Sequence, residues 1–487
     1  MTALPPEVIV LGAGPAGAAA ARLLSLWGHR VRIVSKPRQA ALALAESIPP
    51  STRKLFDRLG VRDAIERAGF VRSTGNTVWW GSGECRSELF ADGQQGWQVT
   101  ADRLESLLRG AATDAGVEVE ERRADPDDAA HARFTLDCTG RGGVLARARR
   151  LRRLEPGLKT VALVGLWQPG ASFAVPDATH TLLESYADGW AWSVPDAAGR
   201  RFVAVMVDPR TSALSRDDDS RAVYLAEIRK THRFRMLLTD AALVGGPAGW
   251  DASMYSAERY ADGSVLLVGD AGSFIDPVSS AGVKKALASG WLAAVAVHTA
   301  LVRPSMQHHA FKFFDAREAE VYASFRAETV RQLSSAAQGH ANRFWIDRAE
   351  ADTGADGSAG ETDARVAAAF ERIRRSESLR VDRGEDARIE PRPTVSGCEI
   401  VLEDRLVSDD GGAAVRYAHD VDLLALIDLA PSYSQVPDLF AAYQRRAGPV
   451  ALPDFLAALA LAVARGWLRW RSTPLGAAAD ETPDGRR

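Results

Sequence analysis

The stretch that decides the fold is residues 7–36, "EVIVLGAGPAGAAAARLLSLWGHRVRIVSK". Val8–Leu11 form a short, wholly apolar run, which is typical of a buried parallel strand. The glycine-rich segment 12–17 follows, then an alanine-rich helical segment, then a second apolar strand over Val31–Val34. This order of strand, turn, helix and strand predicts a βαβ unit that opens a Rossmann-like α/β domain.

The residues of this turn predict a phosphate-binding site. Gly12 permits the tight turn, Gly14 lets the backbone approach a pyrophosphate, and Gly17 lets the helix pack closely on the strand. The free N–H groups and the partial positive charge at the start of the helix attract phosphates. The sequence therefore predicts dinucleotide binding by these residues: Gly12, Gly14, Pro15, Ala16 and Gly17.

The end of the second strand departs from the usual pattern. A carboxylate there commonly binds the ribose hydroxyls, whereas this chain has Ser35 and Lys36. Ser35 is able to bond a hydroxyl group, and Lys36 either contacts the adenosine end or is simply solvated. The ribose contact is left open between these two residues.

Composition excludes several classes of function. A chain of 487 residues predicts two or three domains, and its net charge of −3 gives no overall field toward nucleic acid or an anionic membrane. The three scattered cysteines predict neither a disulfide framework nor a metal site, and they fit a reducing cytoplasm. We expect no secretory signal and no membrane-spanning helix.

A later segment, 263–290, reads "GSVLLVGDAGSFIDPVSSAGVKKALASG". It predicts a buried strand over Val265–Val268, a Gly-Asp turn, and a helix that begins near residue 282. Paired with the N-terminal glycine turn, it resembles the FAD-binding flavoproteins of the aromatic-hydroxylase type. The resemblance implies FAD as the cofactor, with an aspartate on the ribityl or pyrophosphate region and helix N–H groups facing the flavin ring. The cofactor contacts it implies are Arg103, Gly269, Asp270, Pro277, Gly282 and Val283.

Residues 189–195, "GWAWSVP", match the W-x-W-x-x-P signature of the flavin-dependent halogenases in this superfamily. Segments 45–60 and 68–84 resemble two further halogenase segments, and the resemblance covers about residues 1–345. In a strand, Trp190 and Trp192 point to the same face. They predict either an aromatic wall between flavin and substrate or plain packing in the core.

One residue separates this chain from the halogenases it resembles. In halogenases, a lysine in the segment matching 68–84 brings the chlorinating oxidant to the substrate. Here Ser73 stands at that position, and no lysine occurs between Lys54 and Lys159. The resemblance therefore favours a monooxygenase that hydroxylates an indole-type ring through a flavin C4a-hydroperoxide. A finer resemblance is to flavoproteins that hydroxylate a peptidyl tryptophan during the maturation of tryptophylquinone cofactors.

Four residues are candidates for the chemistry. They are Trp190, Trp192, Lys284 and Glu46. Lys284 lies in the loop and helix start that face the flavin, and Glu46 is either a flavin or substrate contact or a helix cap. The partners implied are O₂, an aromatic substrate, free or borne by a peptide or protein, and NAD(P)H or a separate flavin reductase as electron source.

Other functions stay open at this point. They are a halogenase of an indole or pyrrole with a relocated lysine, a flavoprotein that binds a partner without catalysis, and an alkene reductase. A DNA-binding function is not favoured, because the C-terminal region lacks a clustered basic face.

The chain is predicted to have four parts. They are the FAD-binding fold over 1–345, with a mixed substrate sheet mainly from 68–95 and 155–255; a linker and helix over 346–389; a small winged-helix-like domain over 390–472; and a disordered tail over 473–487. We expect the winged-helix-like domain to have one of two roles. It either docks a protein or carrier-borne substrate, or it is a structural lid or dimer element.

Overall fold

The computed structural model describes residues 5–37, 44–81, 83–212, 214, 219–350, 358–385, 387–407 and 414–471. The chain divides into two compact units. The first comprises Met1–Gly354 with Gly397–Ile400, and the second comprises Ala355–Ser396 with Val401–Arg487. The predicted tail, 473–487, and residues 351–357 of the predicted linker lie outside the described residues.

A six-stranded sheet carries the glycine-rich turn. Its strands in spatial order are Ala261–Asp262, Val265–Leu267, Phe134–Asp137, Val8–Leu11, Val31–Ser35 and Glu118–Glu121. All pairs are parallel except the edge pair of Ala261–Asp262 with Val265–Leu267. The central position of Val8–Leu11, whose four residues are buried, confirms the predicted Rossmann-like arrangement.

A mixed seven-stranded sheet, called the large sheet below, forms the second layer. Its strands in spatial order are Ala241–Asp251, Val161–Pro169, Arg201–Val207, Gly189–Pro195, Thr181–Tyr186, Gly75–Trp79 and Cys85–Leu89. Only the pair of Thr181–Tyr186 with Gly75–Trp79 is parallel. Two smaller sheets join Ala45–Ile48, Gly96–Thr100 and Val71–Ser73, and Arg152–Leu154 with Tyr255–Ala257.

The helices of the first unit pack against these sheets. They are Pro15–Leu26, Arg53–Leu59, Arg62–Arg67, Ala101–Asp114, Val144–Ala148, Ser220–Lys230, Arg233–Leu237, Gly282–Val302, Gln307–Ala337 and Arg343–Ala349. Gly282–Val302 is long and apolar enough to cross a bilayer, but 72% of its most apolar window is buried within the protein. It packs on the glycine-rich helix so closely that a Cβ on Gly290 would lie 2.4 Å from the Ala16 carbonyl oxygen. These contacts are those of a core helix.

The second unit has its own apolar core. Its helices are Ser358–Arg375, Leu423–Leu429, Val436–Ala447 and Leu452–Ala464, and its paired strands are Val381–Arg383 with Leu468–Trp470, Arg388–Ser396 with Glu399–Val407, and Tyr417–Ala418 with Val421–Asp422. Asp422 caps one helix by accepting hydrogen bonds from the N–H groups of Leu424 and Ala425. The winged-helix assignment of this region stays a prediction.

Candidate functional site

The glycine-rich turn is open where a phosphate would approach. A Cβ on Gly12 would lie 2.4 Å from the Cys138 carbonyl oxygen, and one on Gly17 would lie 2.0 Å from the Gly12 carbonyl oxygen. A Cβ on Gly14 would meet no described atom within 4 Å. The helix that follows has no side-chain cap and no acidic residue in its first turn. Two glycines therefore serve packing, and the space beside Gly14 fits the pyrophosphate of a dinucleotide.

The predicted ribose end has a carboxylate nearby that sequence reasoning missed. Ser35 ends its strand, and its hydroxyl lies 3.5 Å from the Lys36 carbonyl oxygen, while Lys36 is exposed. Glu121, on the neighbouring parallel strand, is the register partner of Ser35 and forms an ion pair with Arg109. The pairing joins residues far apart in the chain, so no local sequence pattern predicts it.

The turn Gly269–Ser273, called the flavin turn below, meets the glycine-rich helix directly. Gly269 has a φ of +63°, and a Cβ there would lie 3.0 Å from the Ala16 Cβ. Tyr255 donates a hydrogen bond from its hydroxyl to the Asp270 carbonyl oxygen. The Asp270 side chain is still 30% exposed. The structure thus brings the two predicted cofactor motifs together and leaves the Asp270 carboxylate accessible.

A second open helix start follows the flavin turn. Asp276 accepts a hydrogen bond of 3.0 Å from the Val278 N–H and caps the short turn that begins at Pro277, and burial raises the pKa of Asp276 to about 6. Helix Gly282–Val302 then begins without a side-chain cap or an acidic residue in its first turn. A Cβ on Gly282 would meet no described atom within 4 Å, whereas Val283 is buried. The free N–H groups here suit a negatively charged ring edge.

Glu46 shares an electrostatic environment with the flavin turn. It lies on strand Ala45–Ile48, where burial, together with the charges of Asp270 and Glu105, raises its pKa to about 7. A carboxyl group with this pKa holds or releases a proton near neutral pH. Arg103 is exposed in the first turn of helix Ala101–Asp114, with its guanidinium 5.4 Å from the centre of the Phe70 ring.

The two adjacent lysines have different surroundings. Lys284, the sequence candidate, is partly exposed and donates a hydrogen bond of 2.9 Å to the Ser51 hydroxyl. Lys285 is buried, and its Nζ donates to the carbonyl oxygens of Gly269 at 3.2 Å and Ser273 at 2.5 Å. Buried lysines are rare, and sequence reasoning missed this one because its partners come from another segment.

The two tryptophans of the W-x-W segment lie on one face of the large sheet but differ in burial. Trp190 is 1% exposed and packs edge-on against Trp80, with ring centres 6.1 Å apart. Trp192 is partly buried on the same face, which also packs against Ile275 and Ala281 of the loop after the flavin turn. Its Nε1–H has no hydrogen-bond acceptor among the described residues. Trp190 is therefore core packing, and Trp192 is the member of the pair available to a ligand.

Ser73, which the resemblance to halogenases matches to their lysine, is buried beside a hydrogen-bond network. Ser73 is 1% exposed and donates to the Gly75 carbonyl oxygen at 3.1 Å. Beside it, Thr74 and Thr77 hydroxyl groups lie 3.0 and 2.9 Å from the two ring nitrogens of His180. With Arg201, these four residues form what is called the Ser73 network below.

Arg201 closes this network from the neighbouring strands. It is 2% exposed, and its guanidinium donates to the Ser193 hydroxyl at 2.8 Å and to the carbonyl oxygens of His180 and Ala178 at 2.6 and 3.1 Å. Burial lowers the pKa of Arg201 to about 9. Both ring nitrogens of His180 and all three guanidinium nitrogens of Arg201 are therefore bonded to protein atoms.

Comparison with known proteins identifies the cofactor. Residues 6–141 match the family described as FAD binding domain. The chain is 25% identical over 368 residues to a flavin-dependent halogenase of Armillaria mellea, covering 66% of this chain and 73% of that one. It is 27% identical over 319 residues to a tryptophan 2-halogenase of Chondromyces crocatus, covering 60% of each. With the open glycine turn, these matches show that the cofactor is FAD.

Solved structures share the fold. The flavin-dependent halogenase CmlS is similar with a TM-score of 0.76, at 19% identity and 96% coverage of both chains. The myxobacterial chondrochloren halogenase CndH is similar with a TM-score of 0.65, at 26% identity, over 74% of this chain and 90% of that one. The peptidyl tryptophan dihydroxylase QhpG is similar with a TM-score of 0.66, at 24% identity, over 90% of this chain and 95% of that one.

Proposed function

We propose that this chain, which belongs to the halogenase-like branch of FAD-dependent oxidoreductases, hydroxylates an electron-rich aromatic ring of the indole type. When bound and reduced, FAD supplies two electrons and activates O₂. One oxygen atom replaces a ring hydrogen as a hydroxyl group, and the other leaves as water. The electrons come from NAD(P)H or from a separate flavin reductase, and the setting is the cytoplasm.

The observation that carries the proposal is the Ser73 network. A halogenase of this type needs a lysine whose amine reaches the substrate, and this chain has a buried serine at the matching position. The surrounding His180 and Arg201 are fully bonded to protein groups. An oxidant therefore has no amine to carry it on this side, and direct transfer of oxygen to the ring is favoured.

Residues of this chain hold the cofactor and orient the ring. The glycine turn and the start of helix Gly282–Val302 offer N–H groups to the pyrophosphate and the flavin ring, and Asp270 offers its carboxylate to the ribityl hydroxyls. The partly buried Trp192 offers an aromatic face on which the ring would pack with water excluded. The carboxyl group of Glu46, with its pKa of about 7, donates the proton that the departing oxygen takes up as water.

The substrate that we propose is a tryptophan side chain carried by a peptide or protein, modified during maturation of a quinone cofactor. Two points support this choice. The stretches 73–76 and 279–291 resemble those of flavoproteins with this activity, and the similarity to QhpG extends over nearly the whole of both chains.

The test uses the intact protein with FAD reduced anaerobically. It is mixed with O₂ and chloride, with and without a tryptophan-containing peptide, and the peptide is analysed by mass spectrometry. We expect a gain of sixteen or thirty-two mass units, unchanged when chloride is omitted. Glu46→Gln serves as the matched variant and should slow product formation while FAD stays bound. A peptide of unchanged mass across tryptophan peptides of varied sequence would contradict this substrate.

The second candidate is halogenation of an indole or pyrrole, which the named halogenase relatives favour. In this case Lys284 would supply the amine, because it is partly exposed near the start of helix Gly282–Val302. The same experiment would then show a chlorine isotope pattern in the product. Lys284→Met would abolish that chlorination.

A further inference from the structure

Lys285 is a buried cation that none of the steps above uses. It lies in the first turn of helix Gly282–Val302, and its side chain is 1% exposed. Its Nζ donates to two carbonyl oxygens at the two ends of the flavin turn, those of Gly269 and Ser273. The Asp270 carboxylate lies 3.6 Å from the same nitrogen. One ammonium group thus contacts the beginning, middle and end of the turn.

The flavin turn is held from the helix side as a unit. The Gly269 N–H donates a hydrogen bond of 2.8 Å to the Ser289 hydroxyl, one helical turn beyond Lys285. Gly269 also packs against Ala16 at the start of the glycine-rich helix. A displacement of the turn would therefore move Asp270 relative to the phosphate-binding glycines.

The charge near Lys285 is only partly balanced. Glu318, on helix Gln307–Ala337, is 4% exposed, and burial raises its pKa to about 7, against the lowering effect of Lys285. The other acidic group facing the ammonium is Asp270, which is itself partly exposed. A protonated fraction of Glu318 at neutral pH leaves a positive charge fixed under the turn. A positive charge at short range stabilises an anionic reduced flavin more than the neutral oxidised one.

We propose that Lys285 is a positioning residue for FAD: its ammonium clamps Gly269 and Ser273 so that Asp270 faces the cofactor, and its charge favours the reduced flavin. The proposal rests on the placement of FAD in the proposed function, and it concerns the flavin rather than the substrate. Lys312, an exposed lysine on helix Gln307–Ala337 outside the predicted site residues, provides the control.

The experiment compares Lys285→Met and Lys312→Met in the full chain. Apoprotein is titrated with FAD to obtain Kd, and the reduction potential of the bound flavin is measured against a reference dye. We expect Lys285→Met to raise the Kd at least tenfold and to weaken binding of reduced relative to oxidised FAD a further tenfold, which is about 30 mV for a two-electron couple. Lys312→Met should change neither quantity more than twofold.

Three outcomes separate the parts of this proposal. Unchanged Kd and potential in a folded Lys285→Met protein overturn it, and a weaker Kd with an unchanged potential overturns the electrostatic part. If Lys285→Met is insoluble, Lys285→Arg is measured instead. Retention of the wild-type potential supports the proposal. A tenfold weaker binding of reduced relative to oxidised FAD, about 30 mV, contradicts it. Failure of the hydroxylase proposal shows separately, as an unmodified peptide with FAD affinity intact.

Discussion

The cofactor side of the first unit and the Ser73 network differ in whether their hydrogen-bonding groups are accessible to a ligand or bonded to protein atoms. On the cofactor side, two helices begin without a side-chain cap among the described residues, a Cβ on Gly14 would meet no described atom within 4 Å, and the Asp270 side chain is 30% exposed. In the Ser73 network, both nitrogens of His180 and all three nitrogens of the Arg201 guanidinium are bonded to protein atoms. Open polar groups mark where a ligand binds, and closed ones mark structure. Ser73, the residue predicted at the halogenase lysine position, is buried beside the second kind of region.

The largest effect should come from two glycines of the same turn. Gly14→Ala adds a methyl group that meets no described protein atom but occupies the space of the pyrophosphate. We expect the melting temperature of the apoprotein to be unchanged and the Kd for FAD to rise more than about 100-fold, or about 2.8 kcal/mol. Calorimetry and FAD titration measure the two quantities.

The paired variant Gly17→Ala should lower the stability of the apoprotein itself, unlike Gly14→Ala. Its new Cβ would lie 2.0 Å from the Gly12 carbonyl oxygen, so the strand and helix must separate. We expect the free energy of unfolding of the apoprotein to fall by about 3 kcal/mol or more. Wild-type FAD affinity in Gly14→Ala would show that the open space is not the cofactor site.

Ser73→Lys tests whether the network is closed. A lysine amine placed among bonded groups at a position 1% exposed should lower the free energy of unfolding by about 2–4 kcal/mol, measured by urea denaturation. Ser87→Lys, on the exposed edge strand Cys85–Leu89, is the control and should change it little. If Ser73→Lys were as stable as the wild type and began to chlorinate, the network would have to open onto a channel.

Glu318 provides a pH test on the cofactor side. Because burial raises its pKa to about 7, the folded protein keeps a proton that the unfolded chain releases above about pH 4.5. Its contribution to stability is therefore fully present below pH 4.5 and falls as pH rises to about 7. Glu318→Gln should reduce this fall by about 2 kcal/mol, measured by urea denaturation of the apoprotein at several pH values. Glu320→Gln, exposed on the same helix, should leave the slope as in the wild type.

The smallest effects should separate the two tryptophans. Trp190→Phe removes contacts of a side chain that is 1% exposed, and we expect a loss of about 1–2 kcal/mol in the free energy of unfolding with little change in KM. Trp192→Phe should cost less than about 1 kcal/mol, because its indole N–H has no acceptor among the described residues. Its KM for the aromatic substrate should instead rise. The reverse pattern would assign the ligand-facing role to Trp190.

Local patterns predicted the cofactor half well. The strand Val8–Leu11 is found at its predicted bounds, and the second strand extends one residue beyond Val34. The strand predicted over Val265–Val268 ends at Leu267. These elements depend on glycine spacing and apolar runs, which are properties of adjacent residues. The predicted α/β fold class and FAD cofactor are confirmed for the same reason.

The large sheet depends on pairings between distant strands, which local sequence patterns do not predict. Strand Gly75–Trp79 pairs in parallel with Thr181–Tyr186, and this pairing places Thr77 beside His180. Lys284 and Lys285 are neighbours in sequence, yet only the second meets the carbonyl groups of the flavin turn. All of the predicted site residues, Arg103, Ser35, Lys36 and Lys284 among them, stay predictions, because their roles depend on where FAD and substrate lie.

We propose that reduced FAD in this chain delivers oxygen rather than a halogen. A measurement that needs no knowledge of the substrate tests this: the reduced holoenzyme is mixed with O₂ and increasing chloride or bromide in the presence of a β-diketone that traps hypohalous acid. We expect hydrogen peroxide as the product and no halogenated trap at any halide concentration. Halogenated trap that increases with halide would overturn the hydroxylase proposal in favour of a halogenase, with Lys284 as the first candidate for its lysine.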